Sequence, residues 1–339
     1  RGLGDVYKRQ IYNNRRMKYS LVAFVTKHNS FIQTLIPGIV LALTASAWGC
    51  AGRGHASPEA ANTCDSLRNE LRQIAHTAPG LVGIAVITPD GDTITVNNDS
   101  IYQMMSVFKL HQAIAVAHTL DTMGVSLDTI ISFPRSEMNP DTWSPMLKEH
   151  PEQQLDIPVY ELLRYTLQQS DNNASNLMFS RIVSTHDCDR FIREATGIND
   201  FSIQYTEQQM FDNHDLADGN HSSPLACARL IHQLFTDSIV SPDKQSAIQQ
   251  IMLDCQTGLD RIYAPLKDKK GVTLAHKTGS GNRNSSGELM AHNDVGRVTL
   301  PDGRTYELAV LVRNFNGTEA EAAVVIAKIS AAVYQAFTR

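Results

Sequence analysis

Three short groups of residues carry side chains suited to acyl transfer. Ser106-Val107-Phe108-Lys109 opens a strongly apolar stretch. At helical spacing three residues make about one turn, so the Lys109 amine can reach the Ser106 hydroxyl on the same face. A hydroxyl is a weak nucleophile until a neighbour takes its proton, and a desolvated amine can do so. The same string also arises from a serine N-cap followed by a lysine, and Ser241-Pro242-Asp243-Lys244 repeats the spacing without chemical sense. The second group is Ser170-Asp171-Asn172, at the junction of two helical patterns. Small polar residues at such a junction usually cap a helix. Functionally, Ser170 offers a second hydroxyl for proton transfer, and Asn172 an amide to hold a substrate amide. The third is Lys277-Thr278-Gly279 followed by Ser280-Gly281. Glycines on a strand let a ligand come close to the backbone, although a hairpin edge with a solubilising lysine has the same composition.

The elements that must position these groups can be read from periodicity. VGIAVIT and DTITVNN flank Pro89-Asp90-Gly91, and VGRVTL and YELAVLV flank Pro301-Asp302-Gly303, so each pair reads as a β-hairpin. VTLAHKTGSG is a further strand candidate. Between these ends FKLHQAIAVAHTLDTM, PVYELLRYTLQQS, NNASNLMFSRIV, SPLACARLIHQLFT and SPDKQSAIQQIML have helical apolar spacing, as does the final GTEAEAAVVIAKISAAVYQAF. The expected fold is α+β. An antiparallel sheet drawn from both chain ends (66–105 and 255–339) is flanked by helices, and an all-α segment (106–254) is inserted between them. The cleft between the two parts is the natural place for a site.

The ordered trio of S-x-x-K, S-D-N and K-T-G resembles the serine penicillin-recognising enzymes and, more narrowly, the class A β-lactamases, over roughly residues 66–339. The branch it resembles is that of the extended-spectrum and Bacteroides-type cephalosporinases. The resemblance implies hydrolysis of a β-lactam through an acyl-enzyme on Ser106, without a metal or organic cofactor. Ser106 would be activated by Lys109 or by Glu207 through a water, Ser170 with Lys277 nearby would return a proton to the leaving nitrogen, and Glu207 would activate the water that cleaves the acyl-enzyme. Backbone N–H groups of Ser106 and Ser280 form the oxyanion hole. Lys277, Thr278, Ser280 and Arg261 hold the substrate carboxylate, Asn172 holds its side-chain amide, and Trp143, in TWSPMLKEH, sits at the cleft mouth. The family's loop glutamate matches Glu207 in YTEQQMFDNH, with Asp212 or Asp215 next if that alignment is displaced. Two departures stand out. Phe211 occupies the place of an asparagine that helps hold the hydrolytic water, and Tyr205 stands near the place of an arginine that pins the loop. A cephalosporin bias is expected as well, because a Ser280 hydroxyl beside the oxyanion N–H could bond the carboxylate on a cephalosporin's six-membered ring, with Arg261 adding charge. The alternatives are a penicillin-binding D,D-peptidase or S-x-x-K esterase, a lactam-binding sensor that acylates and stops, and a structural lipoprotein with coincidental motifs.

Composition bounds the partners. The chain of 339 residues has a net charge of −5, yet seven of its thirty basic residues fall in residues 1–49 beside the single acid Asp5. The body is therefore more acidic than the whole, which sets nucleic-acid binding aside. A small-molecule substrate and a monomer are expected. Residues 1–16 read as a cloning or assembly scar, with Met17 as the start of an export signal whose apolar run spans Leu35 to Ala47. Ala45-Ser46-Ala47 fits cleavage to a soluble periplasmic form. Ala47-Trp48-Gly49-Cys50 loosely fits a lipoprotein box with Cys50 as the lipidated anchor, ahead of a tether at 50–65. A retained anchor is the third possibility. Cys64, Cys188, Cys227 and Cys255 allow three pairings. Their irregular spacing favours small buried residues over disulfides, and the twelve histidines form no metal-ligating motif.

Overall fold

A computed structural model describes residues 58–338. The readings that concern Met17, the apolar run, Ala45-Ser46-Ala47 and Cys50 lie outside the described residues. The first helix, α1 (Pro58–Thr77), starts inside the stretch read as a tether from 50 to 65. Leu67, Leu71 and Ala75, four apart and buried, dock one stripe of it on the sheet, and the helix continues N-terminally from that anchor.

The main sheet has the order β2-β1-β10-β9-β8 and every pairing is antiparallel. Its strands are β1 (Leu81–Ile87), β2 (Thr93–Val96), β8 (Thr273–Ser280), β9 (Leu289–Thr299) and β10 (Thr305–Phe315). Both expected hairpins form, and each turns at a glycine with positive φ, +86° at Gly91 and +87° at Gly303. The sheet therefore joins the two ends of the chain. Alternation divides its side chains between two cores. Ile84, Val86, Val298, Leu308 and Val310 pack with α1 and the last helix, α10 (Glu319–Thr338). Ala85, Ala275, Val295, Ala309 and Leu311 face the intervening helices.

Those helices are α2 (Phe108–Met123), α3 (Pro145–Glu149), α4 (Val159–Gln168), α5 (Asn172–Arg181), α6 (Thr185–Thr196), α7 (Glu207–Asp212), α8 (Pro224–Thr236) and α9 (Pro242–Leu253). Apolar or small residues on every face let α2 run through the centre of this layer, buried from Phe108 to Ala117. Periodicity alone missed α6 and the short strands β3 (Tyr102–Gln103), β4 (Ile130–Pro134), β5 (Gln154–Pro158), β6 (Phe201–Ser202) and β7 (His221–Ser222). Strands β3, β6 and β7 have two residues each and carry no alternation to read. Cys64, Cys188, Cys227 and Cys255 are all free thiols.

Two contacts fix the segment that leads from β3 into α2. Tyr102 lies across β1 where Gly83 leaves room; a Cβ there would sit 2.4 Å from the Tyr102 ring. The fully buried Asn293 of β9 donates through Nδ2 to the carbonyls of Gln103 (2.8 Å) and Met104 (3.2 Å). Its Oδ1 accepts the Val312 N–H of β10 at 3.0 Å. One amide thus ties the middle of the sheet to the backbone just ahead of Ser106. Asn293→Ala leaves those buried groups without partners and should cost about 3 kcal/mol of stability. A denaturant midpoint unchanged from wild type would contradict this.

Candidate active site

The turn that carries Ser106 is a single 3-10 turn, Met105–Val107, rather than the first turn of an α-helix. Met105 adopts φ +45°, a costly backbone state for a side-chain-bearing residue. Hydrogen bonds on both sides hold it: Met104 N–H donates to Asn220 O at 2.8 Å, and Val107 N–H to Met104 O at 3.1 Å. From the sheet side Gly279 closes on the same turn. A Cβ at Gly279 would lie 2.3 Å from Met104 O. The glycine of K-T-G therefore admits the nucleophile's own backbone, a correction to the expectation that it clears space for a ligand.

Ser106 Oγ donates to Glu207 Oε1 at 3.1 Å. The Lys109 ammonium, fully buried, donates to Ser170 O (2.8 Å) and Asn172 Oδ1 (2.7 Å) and pairs with Glu207 Oε1 at 2.9 Å. The expected Ser106–Lys109 contact thus becomes a relation through Glu207. An ammonium can serve three acceptors at once, and these three are supplied by the chain junction and the loop rather than by its own helix.

Ser170-Asp171-Asn172 turns out to be both a cap and a cleft wall. Asp171, fully buried, caps α5 through the Ala174 N–H (2.9 Å) and also accepts from Ser144 Oγ and the Met146 N–H (2.7 Å). Burial pushes its carboxyl above the usual range. Its neighbours face the cleft. Ser170 takes φ +59°; its carbonyl meets Lys109, and its Oγ accepts from Lys277 Nζ at 3.0 Å. Lys277 is fully buried, and burial followed by the Lys109 charge holds its ammonium down to about 7. Asn172 has its Oδ1 on Lys109, and one Nδ2 proton goes to Thr142 Oγ1 at 2.9 Å. The other Nδ2 proton is what it can offer a substrate amide.

Glu207 is the first residue of α7, whose Thr206 and Gln209 form a capping box. Among the described residues no arginine bonds to Tyr205, Thr206 or Glu207; Arg313 reaches the loop only farther on, at Asp218 (3.5 Å). Asn220, fully buried, pins the loop instead: its Oδ1 accepts the N–H groups of Gln204 (2.8 Å) and Tyr205 (2.9 Å), and its Nδ2 donates to Tyr205 O at 2.8 Å. Asn220 O also accepts the Met104 N–H, so one residue joins the Glu207 loop to the Ser106 turn. The sequence gives no signal for it, because an isolated asparagine looks like any loop residue. Phe211, 40% exposed, lines the cleft beside Glu207.

On the opposite wall Thr278 Oγ1 lies 2.6 Å from Thr257 Oγ1, another partner that sequence reasoning missed. Arg261 is buried. It donates to Asn293 O (2.6 Å), Gly279 O (3.3 Å) and Ser280 Oγ (2.6 Å), so it braces the wall as well as lining it. Ser280 remains exposed. Trp143 stands at the mouth, 56% exposed, with its indole N–H on Gln169 O at 2.9 Å. The cleft these groups line has a volume of about 590 Å³. Of the residues expected in the site, Ser106, Ser170, Asn172, Glu207, Thr278, Ser280, Arg261 and Trp143 line it. Lys109 and Lys277 lie behind them, bonded to Glu207 and Ser170.

Comparison with known proteins agrees with this geometry. The profile of the beta-lactamase enzyme family matches residues 66–337. A β-lactamase of Phocaeicola vulgatus is 46% identical over 84% of this chain and 88% of its own length. Among solved structures, a class A β-lactamase from Bacteroides cellulosilyticus superposes with a TM-score of 0.76 at 30% identity, covering 81% of this chain and 98% of the other. The extended-spectrum β-lactamase TLA-3 does so at 0.78 and 29%, covering 81% and 100%.

The bracing of Ser280 generates a prediction. A lysine at position 261 cannot serve acceptors that the guanidinium fork reaches together. Arg261→Lys should raise KM for a carboxylate-bearing substrate about tenfold, the loss of one charge-assisted hydrogen bond. A KM within twofold of wild type would remove Arg261 from the binding wall.

Proposed function

This chain belongs to the beta-lactamase enzyme family, and from that premise we propose that it cleaves its substrate with Ser106 as nucleophile and Glu207 as the carboxylate serving both half-reactions. It is a serine β-lactamase, and its reaction is the hydrolysis of β-lactams. The observation that carries the assignment of roles is the direct Ser106 Oγ to Glu207 Oε1 hydrogen bond at 3.1 Å, made to a carboxylate that the buried Lys109 also holds.

In acylation Ser106 Oγ attacks the lactam carbonyl carbon as its proton passes to Glu207. The negative charge that develops on the carbonyl oxygen is met by the backbone N–H groups of Ser106 and Ser280, a contribution typically worth about 3 kcal/mol for each donor. As the C–N bond breaks, Ser170 Oγ gives its proton to the leaving nitrogen and regains one from Lys277, whose Nζ is 3.0 Å away. Lys277, Thr278, Ser280 and Arg261 hold the carboxylate, Asn172 holds the side-chain amide, and Trp143 borders the entrance. Between the half-reactions Glu207 gives the Ser106 proton up to solvent and Lys277 regains one from it, so that Glu207 is again a carboxylate; in deacylation it takes a proton from water, which attacks the ester carbonyl, and Ser106 leaves with that proton. Phe211 cannot hydrogen-bond through its ring, so water is oriented by Glu207 and the groups around it.

A cephalosporin bias follows from the same wall. Arg261 donates to Ser280 Oγ at 2.6 Å, which leaves the serine's own proton free to point into the cleft. It can reach a carboxylate on a six-membered ring, and a charge-assisted hydrogen bond there is worth roughly 1.5–3 kcal/mol. The proposal extends to location and organisation. The enzyme is exported, with Cys50 as the lipid tether, and works as a monomer in which 106–254 is a helical insertion in the α/β part.

Two measurements test these assignments. After a penicillin pulse, mass spectrometry should find the adduct on the peptide containing Ser106 and none in Ser106→Ala. Labelling at Ser241, or an adduct that persists in the alanine variant, would contradict the assignment. For spectrum, the ratio of kcat/KM for a cephalosporin to that for a penicillin should exceed one in wild type and fall about tenfold in Ser280→Ala. An unchanged ratio would separate Ser280 from specificity, and a wild-type preference for penicillins would overturn the bias.

A further inference from the structure

Behind the K-T-G strand runs a row of buried polar groups that the hydrolytic steps leave unused. Asp294 of β9 is fully buried and accepts His276 Nδ1–H at 2.9 Å and the Ile262 N–H at 3.1 Å. His276 of β8, 2% exposed, also places its charge close to Cys255. Burial alone would lower this imidazole, but Asp294 lifts it to about 10, so it is an imidazolium with a proton on each nitrogen. Cys255 Sγ lies 3.5 Å from Thr257 Oγ1, and Thr257 Oγ1 lies 2.6 Å from Thr278 Oγ1 at the cleft.

We infer that Asp294, His276, Cys255, Thr257 and Thr278 form a hydrogen-bond relay whose direction decides whether Thr278 can donate to the substrate carboxylate, with Cys255 and Thr257 as positioning residues. The inference rests on the reading that Thr278 binds that carboxylate. Each hydroxyl has one proton to give. A protonated Cys255 thiol beside the His276 charge turns its proton to Thr257, Thr257 donates to Thr278, and the Thr278 proton is left for the substrate. A thiolate has none to give. Thr257 then turns to the sulphur, Thr278 turns to Thr257, and the substrate carboxylate meets lone pairs. The carbonyl oxygens of Leu167, Gln168 and Thr257 compete for the thiol proton only from 3.8–3.9 Å, farther than Thr257 Oγ1.

The charged groups around the sulphur are His276 and Lys277 from β8, Asp294 of β9 behind His276, and Arg261 from the turn after α9. Helix α4 presents the Leu167 and Gln168 carbonyls. Burial pushes the thiol up, but the charge of His276, aided by Lys277, pulls it down to about 7. Reversal of the relay therefore falls close to neutral pH.

The test compares KM and kcat across pH for wild type, Cys255→Ser and Thr257→Val with a carboxylate-bearing cephalosporin. Serine keeps the donor but does not titrate; valine keeps the thiol and its charge but breaks the link. As pH rises beyond about 7, wild-type KM should climb up to about tenfold further than KM of either variant, the loss of one charge-assisted hydrogen bond. The kcat profiles should stay parallel. Thiolate absorbance should rise over the same range in wild type and in Thr257→Val, and be diminished in Cys255→Ser. Titration of Lys277 is common to all three proteins. A wild-type KM profile that superimposes on that of either variant would overturn the relay. Absence of turnover in wild type would instead count against the hydrolytic reading, so the two failures are distinct.

Discussion

A fully buried ammonium at Lys109 sets the terms for the rest of the site. A cation taken out of water costs several kcal/mol unless each proton finds an acceptor and the charge finds a partner. Lys109 meets that demand with three oxygens from three places in the chain: the Ser170 carbonyl, the Asn172 amide and the Glu207 carboxylate. The helix after Ser106, the junction at Asp171 and the Glu207 loop are therefore brought to one point. Ser106 Oγ donates to that same carboxylate at 3.1 Å, which is why the proposed mechanism gives it no separate base. A second buried ammonium, Lys277, is linked to the first through Ser170 alone: its carbonyl serves one lysine and its hydroxyl the other. The positive φ of Ser170 is the backbone state in which the structure holds this two-sided role.

The surrounding scaffold is held largely by neutral amides. Asn220 pins the Glu207 loop and reaches the Ser106 turn; Asn293 ties that turn to β10; Asn173 bonds to the backbone of Asn139 on both sides, at 2.9 Å each. Such bonds do not depend on ionic strength as exposed ion pairs do. A buried asparagine, Asn220, holds the backbone just ahead of Glu207.

The parts legible in the sequence were those with a local cause. Pro89-Asp90-Gly91 and Pro301-Asp302-Gly303 specify turns through their own backbone preferences, and the strands beside them alternate strongly enough to be seen. The apolar stretch Phe108–Met123 is helical as read. The trio around Ser106, Ser170 and Lys277 was legible because its order and spacing are distinctive, and all three converge on one cleft. What escaped was set by long-range packing. Nothing near Gly279 in the chain reveals that Met104 O will approach it, and nothing near Asn220 or Asn293 reveals the carbonyls and N–H groups they satisfy. Arg261 looked like a residue that reaches a substrate, but burial and three acceptors make it first a brace for the wall. Cys255 was read as a small buried side chain; that is true of its burial and omits its place beside His276.

The central claim is that one carboxylate, held by Lys109, serves both the attack of Ser106 and the attack of water. Intact-mass time courses of Glu207→Gln with a chromogenic cephalosporin test it most directly. The account predicts that the acyl-enzyme still forms, more slowly than in wild type, and then accumulates to stoichiometry while turnover falls by a hundredfold or more, the scale on which a general base contributes. Turnover near the wild-type rate with no accumulated adduct would contradict it.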